Sequence, residues 1–119
     1  GADYATIDGT GVRDYIHVTD LADAHVTALQ NLTMLHDFEA INVGRGKGAS
    51  VLDVISTFEE VSEVEICYKM AARRSGDAPA VWADVELAKQ KLNFVANRDL
   101  IEMCRDLWRW QRGNPNGYD

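Results

Sequence analysis

Four stretches of the chain carry apolar residues at three- and four-residue steps, and this periodicity restricts the fold to helices packed on a small amount of something else. LADAHVTALQNLTML, residues 21–35, follows Thr19 and Asp20, which both suit a helix N-cap. Its expected buried stripe is Leu21, Ala24, Ala28, Leu29, Leu32 and Leu35. SVLDVISTFEEVSE, residues 50–63, starts at Ser50 and has Asp53 three places on, the capping-box pattern that satisfies free backbone N–H groups. Val51, Val54, Ile55, Phe58 and Val61 form its stripe. Asp84 can cap a short helix reaching about Leu92, with Leu87, Ala88 and Leu92 inward. The last helix covers about 99–112, with Leu100, Met103, Cys104, Leu107 and Trp108 along one side; Gly113 ends it and Pro115 prevents its return.

Between these helices lie short runs with strand character. Residues 12–18 alternate with period two; EAINV at 39–43 and VEICYKM at 64–70 are the other strand candidates. AARRSGDAPA is a loop, punctuated by Gly76 and Pro79. Strands and helices alternate, so the class is α/β (mixed α+β): one domain over residues 1–119, a small sheet with several packed helices. A chain of 119 residues with 46% hydrophobic content has the material for a core.

Charge and cysteine content exclude several function classes. A net charge of -7 argues against nucleic acid or an anionic membrane as a broad partner, while leaving room for one small anion held by local arginines. No apolar run approaches the roughly 20 residues that span a bilayer, and no signal peptide is present. Cys67 and Cys104 have neither CxxC spacing nor clustered histidines, so they read as two buried, reduced thiols of a cytoplasmic protein, with no metal site. The sequence begins GADYATIDG, without methionine or a starting element, and reads as beginning partway through something larger.

Three stretches carry candidate chemistry. NVGRGKGAS places Gly44, Gly46 and Ala49 in a G-x-G-x-x-A pattern that resembles a dinucleotide-binding turn. The preceding strand is short and the nearest acid, Glu65, falls at the start of the next strand, so a plain glycine-rich turn is the stronger reading. The helix that follows could still offer its N-terminus to an anion. In VRDYIHV, Arg13, Tyr15 and His17 share one face of the expected strand: a guanidinium for a phosphate, an aromatic body with a polar tip, and a histidine better explained by a structural bond. In ARRSGD, Arg73 and Arg74 precede Asp77. Arg13 and one of this pair could converge on a diphosphate, with an aspartate for ribose hydroxyls; an ordinary charged turn is the competing explanation. Trp108 and Trp110, two apart, cannot share one helix face, so one packs inward and the other covers a neighbouring loop, a core role rather than a ligand platform; His17, His25 and His36 lack metal spacing. Nothing assembles an acyl-transfer nucleophile with a base.

DGTGVRDYIHVTDLADAH, NVGRGKGASVLDVI, ARRSGD with WAD behind it, and DLIEMCRDLWRWQRGNPNGY together resemble, in order and spacing, the C-terminal part of the UDP-glucose 4-epimerases of the extended short-chain dehydrogenase/reductase family. The resemblance implies a UDP-hexose site. Arg13 and Arg74 would bind the diphosphate, and Tyr15 the nucleotide-sugar. Val51 would lie near uracil and ribose, and Asp77 would face the ribose hydroxyls. Val81 stands where the family carries a tyrosine or a small residue limiting room near the sugar C2 substituent, which implies a pocket open to UDP-N-acetylhexosamines as well. Ala72 and Ala5 replace prolines of the family pattern. The family's NAD-binding Rossmann domain, with the tyrosine and lysine of hydride transfer, lies outside these residues, and no Y-x-x-x-K occurs here. Catalytic, cofactor-binding and metal residues are therefore expected to be none in this chain, with NAD the cofactor of the full-length family. The first helix and residues 40–43 pack on the Rossmann sheet in the family; uncovered, they imply self-association. The competing functional reading is a stand-alone, non-catalytic module that binds a nucleotide or a protein; a UDP-sugar dehydratase or decarboxylase tail is a third.

Overall fold

A computed structural model describes residues 1–35 and 38–118. Eight elements follow in chain order. Strand β1 (Val12–Asp14) precedes helix α1 (Val18–Gln30) and a single 3-10 turn (Leu32–Met34); β2 (Gly48–Ser50) runs straight into α2 (Val51–Ser62). Strand β3 (Ala80–Val81), α3 (Glu86–Leu92) and α4 (Leu100–Gly113) complete the fold. The mixed α+β class and the small sheet agree with the sequence reading.

The sheet has the order β2-β1-β3. Its centre is β1, antiparallel to β2 with Arg13 opposite Ala49, and parallel to β3 with Arg13 opposite Val81. Neither β2 nor β3 was expected, because both are too short to show a period. Residues 39–43 and 64–70, expected as strands, form no ladder among the described residues: β-branched composition makes a strand only where a neighbour supplies the opposite row of backbone groups. The 12–18 strand is also shorter than expected. Val18 already begins α1, whose N-cap is His17 rather than Thr19 or Asp20: its Nδ1 accepts the Thr19 N–H at 3.0 Å. Tyr15 and His17 therefore lie beyond the strand.

Local capping chemistry explains the helices best. Ser50 and Asp53 form the expected capping box on α2, and Asp99 with Glu102 forms a second on α4. Helix α3 starts one residue later than the expected cap implies, with Val85 at its N-cap position, and Asp84 just before it accepts the Glu86 N–H at 3.0 Å. Glu63 and Asn93 close α2 and α3 in the left-handed conformation.

Packing divides into two small cores. Ala24 of α1 meets Ala88 and Leu92 of α3 and Phe94, with Ala28, Leu35, Ile41 and Val43 around them. Helix α2 lies on α4, where Phe58 meets Trp108 edge to face at 6.0 Å and Cys104 is buried. The radius of gyration is 17.0 Å, whereas a compact domain of this length would have about 13.5 Å. The fold is thus thin, and apolar surface stays uncovered. Val18, Val26 and Leu29 form an exposed apolar row on α1; of the expected stripe Ala24, Ala28 and Leu35 pack on the core, while Leu21, Leu29 and Leu32 are exposed. Val51, Leu87 and Leu107, expected inward, are exposed as well, as is Cys67.

Candidate functional site

The N-terminal turn, β1, the start of α2 and the segment 68–77 enclose a cleft of ≈ 470 Å³. Arg13, Tyr15, Val51, Arg74 and Asp77 all line it. Val81 does not; it lies beside Arg13 in the sheet and lines a neighbouring depression that Arg13 also borders. Three cationic side chains, Arg13, Lys69 and Arg74, meet one carboxylate at the main cleft. In a chain of net charge -7 that is a local reversal of sign, suited to an anion.

Its floor is rigid for identifiable reasons. Asp8 accepts from the Thr10 N–H and hydroxyl, each at 2.8 Å, and from the Ser50 hydroxyl. The Ser50 bond, followed by those from Thr10, holds the Asp8 carboxyl below its ordinary value. Thr10, Ser50 and the helix start are thereby tied to one carboxylate. The same ties close the anion site that the sequence left open at the α2 N-terminus. The Val51 N–H donates to Gly11 O at 3.2 Å, the Leu52 N–H faces Thr10 Oγ1 at 3.5 Å, and the Asp53 N–H donates to Ser50 Oγ at 2.9 Å. With the first turn's donors committed, the ligand-facing charge of this cleft comes from side chains.

The glycine turn is explained in the same way. Asp14, at the end of β1, accepts the N–H groups of Arg45 at 2.9 Å, Gly46 at 3.0 Å and Ala83 at 3.2 Å. A Cβ on Gly44 would stand 2.5 Å from Asp14 Oδ2, and Gly46 has φ +66. The glycines let the backbone wrap the protein's own carboxylate, so the turn does not fit a cofactor pyrophosphate. The plain-turn reading of G-x-G-x-x-A is the one the geometry supports.

At the rim, Arg13 Nη2 donates to Asp77 Oδ1 at 3.1 Å, and the Tyr4 hydroxyl donates to Asp77 Oδ2 at 3.2 Å. Tyr4 is buried, and burial followed by the facing Asp77 charge raises its phenol above the ordinary value. Arg73 lies 4.4 Å over the Tyr4 ring and pairs with Asp3 at 2.8 Å, whose carboxyl the Arg73 bond lowers. Adjacent arginines therefore do different things: Arg73 is bound into the turn, while Arg74 lines the cleft without an ion-pair partner among the described residues. Tyr4 and Lys69 were missed. Lys69 lay within an expected strand, and no local pattern connects Tyr4 to a residue 73 positions away.

His17 stands apart from the cleft. Its Nε2 lies 3.3 Å from Asp106 Oδ2, so a buried imidazole ties the start of α1 to α4. Asp20, also buried, accepts the Arg98 N–H at 2.9 Å and pairs with its guanidinium, closing α1 against the approach to α4.

The chain is similar to known proteins over nearly all of its length. A UDP-glucose 4-epimerase of Erwinia amylovora is 50% identical over 98% of this chain, and UDP-glucose 4-epimerase 2 of Arabidopsis thaliana is 52% identical over 100%. The chain is homologous to the UDP-glucose 4-epimerases and resembles their C-terminal part. Residues 3–44 also match the NAD dependent epimerase/dehydratase family. Among solved structures, UDP-glucose-4-epimerase of Stenotrophomonas maltophila, with bound NAD and formylated UDP-arabinopyranose, superposes with a TM-score of 0.91. It is 48% identical, and the match covers 97% of this chain and 34% of that one. The Bifidobacterium longum enzyme, in complex with NAD+ and UDP, gives 0.89 at 42% identity, covering 99% and 35%. The chain thus spans about a third of the length of the relatives it matches: 35% of the Erwinia protein and 34% of the Arabidopsis one.

Proposed function

We propose that this chain is the UDP-hexose-binding portion of a UDP-glucose 4-epimerase, acting on UDP-glucose and UDP-galactose. The observation that carries the proposal is the convergence of Arg13 and Arg74, from segments some sixty residues apart, on one cleft with Tyr15, Val51 and Asp77. Two guanidiniums across one cleft match a diphosphate, because each can give paired, charge-assisted hydrogen bonds to phosphate oxygens. Asp77 keeps lone pairs for ribose hydroxyls, since each oxygen accepts a single bond in the free cleft. Val51 supplies an apolar wall. Affinity is weak in this reading, because the longer relatives have further residues to complete the pocket.

No hydride chemistry is assigned to these 119 residues, which contain no Y-x-x-x-K and whose glycine turn holds Asp14. The redox half of the reaction belongs to an NAD-binding portion outside this sequence. The exposed row Val18, Val26 and Leu29 on α1 joins copies of the chain when it stands alone. Val81, half-exposed beside Arg13, leaves room for an N-acetylated sugar; in a full-length version Val81→Tyr shifts relative activity toward plain UDP-hexoses, and unchanged relative activity would remove that part.

Calorimetric titration of UDP-glucose into the chain tests the proposal. Binding is expected, weakened about 10- to 150-fold by Arg74→Ala, the loss of one charge-assisted contact of roughly 1.5–3 kcal/mol. No binding at millimolar ligand, or equal binding by Arg74→Ala, would overturn it.

A further inference from the structure

The two oxygens of Asp77 are held by donors of different kinds. Arg13 reaches Oδ1 from the sheet, and the Tyr4 hydroxyl reaches Oδ2 from the N-terminal turn. Asp77 lies in a segment that is exposed throughout, on a loop turned by Gly76 at φ +81. An exposed carboxylate on such a loop samples many rotamers unless something fixes it. Tyr4 fixes it twice. Its hydroxyl holds the carboxylate, and its ring carries the Arg73 guanidinium at 4.4 Å, four residues earlier on the same loop. Asp3 takes the other side of Arg73 at 2.8 Å. The loop is thus gripped at 73 and 77, and the residue between that lines the cleft, without an ion-pair partner among the described residues, is Arg74.

We infer that Tyr4 is a positioning residue for nucleotide recognition: it sets the Asp77 carboxylate toward the ribose and, through Arg73, holds the loop so that Arg74 faces the diphosphate. The inference rests on the proposed UDP-hexose reading and adds a residue to it. The cost of ordering the loop falls before binding rather than during it, which raises affinity without a new ligand contact. The two functions separate chemically. The hydroxyl acts on Asp77 alone; the ring acts on Arg73 and the loop as a whole.

The test compares wild type, Tyr4→Phe and Tyr4→Leu in the 119-residue chain, with helix content followed by circular dichroism. Tyr4→Phe keeps the ring, so cleavage by trypsin after Arg73 and Arg74 should stay at the wild-type rate, while Tyr4→Leu should speed it severalfold. UDP binding should fall about 5-fold in Tyr4→Phe. Titration with 2′,3′-dideoxyuridine diphosphate, which lacks the hydroxyls, should show no difference between Tyr4→Phe and wild type. A general loosening of the fold would weaken both ligands equally. The positioning role is overturned if Tyr4→Phe binds UDP as well as wild type, if it loses both ligands in equal measure, or if Tyr4→Leu leaves tryptic cleavage unchanged at native helix content. Absence of UDP binding by the wild type would instead remove the parent reading; the cleavage arm still decides whether Tyr4 holds the loop.

Discussion

Replacing Asp14 by alanine should be among the most damaging single changes to this fold, though the residue touches no ligand. Its carboxylate accepts three backbone N–H groups, from Arg45, Gly46 and Ala83, at 2.9, 3.0 and 3.2 Å. These belong to the glycine turn and to the chain leaving β3, so one side chain joins three segments around the central strand. A hydrogen bond to a charged group contributes about 1.5–3 kcal/mol. Three would give roughly 4.5 kcal/mol at the low end, but Asp14 is only half-buried and water can reach the freed donors. A net loss of about 3 kcal/mol is the working figure, a large share of the ~5–15 kcal/mol that holds a domain together. Urea unfolding followed by circular dichroism is the assay. With an m-value of about 1.5 kcal/mol/M, the midpoint should fall by ~2 M. Asp14→Asn keeps an acceptor without the charge and should lose about half as much. A midpoint shift under ~0.5 M for Asp14→Ala, at unchanged m, would refute the three-bond account.

Acid should loosen the floor of the cleft through Asp8, whose folded pKa lies below the ordinary 3.8. A depressed carboxyl contributes stability that is complete above the unfolded value and is lost as pH falls through the folded one. Urea midpoints should therefore decline below about pH 4, and Asp8→Asn should show a flatter profile. Gly44→Ala should destabilise by about 1–3 kcal/mol, as overpacking does, because the new Cβ would stand 2.5 Å from Asp14 Oδ2 and 2.8 Å from Ala83 Cβ; a wild-type melting temperature would contradict this. Sedimentation at tens of micromolar should show association that Leu29→Glu on α1 disrupts. A monomeric wild type would refute the role given to the α1 row.

What could be read from the sequence was whatever is decided within one turn of chain. Ser50 with Asp53 gave the start of α2 because both bonds of the capping box lie within four residues. Strand pairing is not local. Arg13 sits opposite Ala49 and Val81, and no spacing reveals such a pairing; meanwhile 39–43 and 64–70 have strand composition without a neighbour among the described residues. On α1 the periodicity shows apolar residues on two faces, and only the packing of α3 decides that Ala24 and Ala28 are covered while Val26 and Leu29 are not. For the cleft, residue chemistry alone suggested Arg13, Tyr15, one of Arg73 and Arg74, and an aspartate such as Asp77, beside an ordinary charged turn; the family resemblance selected Arg74 and added Val51 and Val81. Of these, Val81 lies outside the main cleft. The supports Asp14, Tyr4 and Asp20 were invisible because their partners lie 31 to 78 residues away.

The most direct measurement of the central claim is a UDP titration of the 119-residue chain, labelled at arginine and followed by NMR at the guanidinium Nε–H resonances. The Arg13 and Arg74 signals should move together along one saturating curve, while Arg112 on α4 stays in place. Signals of Arg13 and Arg74 that remain fixed at millimolar UDP, or that move no more than Arg112, would contradict the diphosphate site.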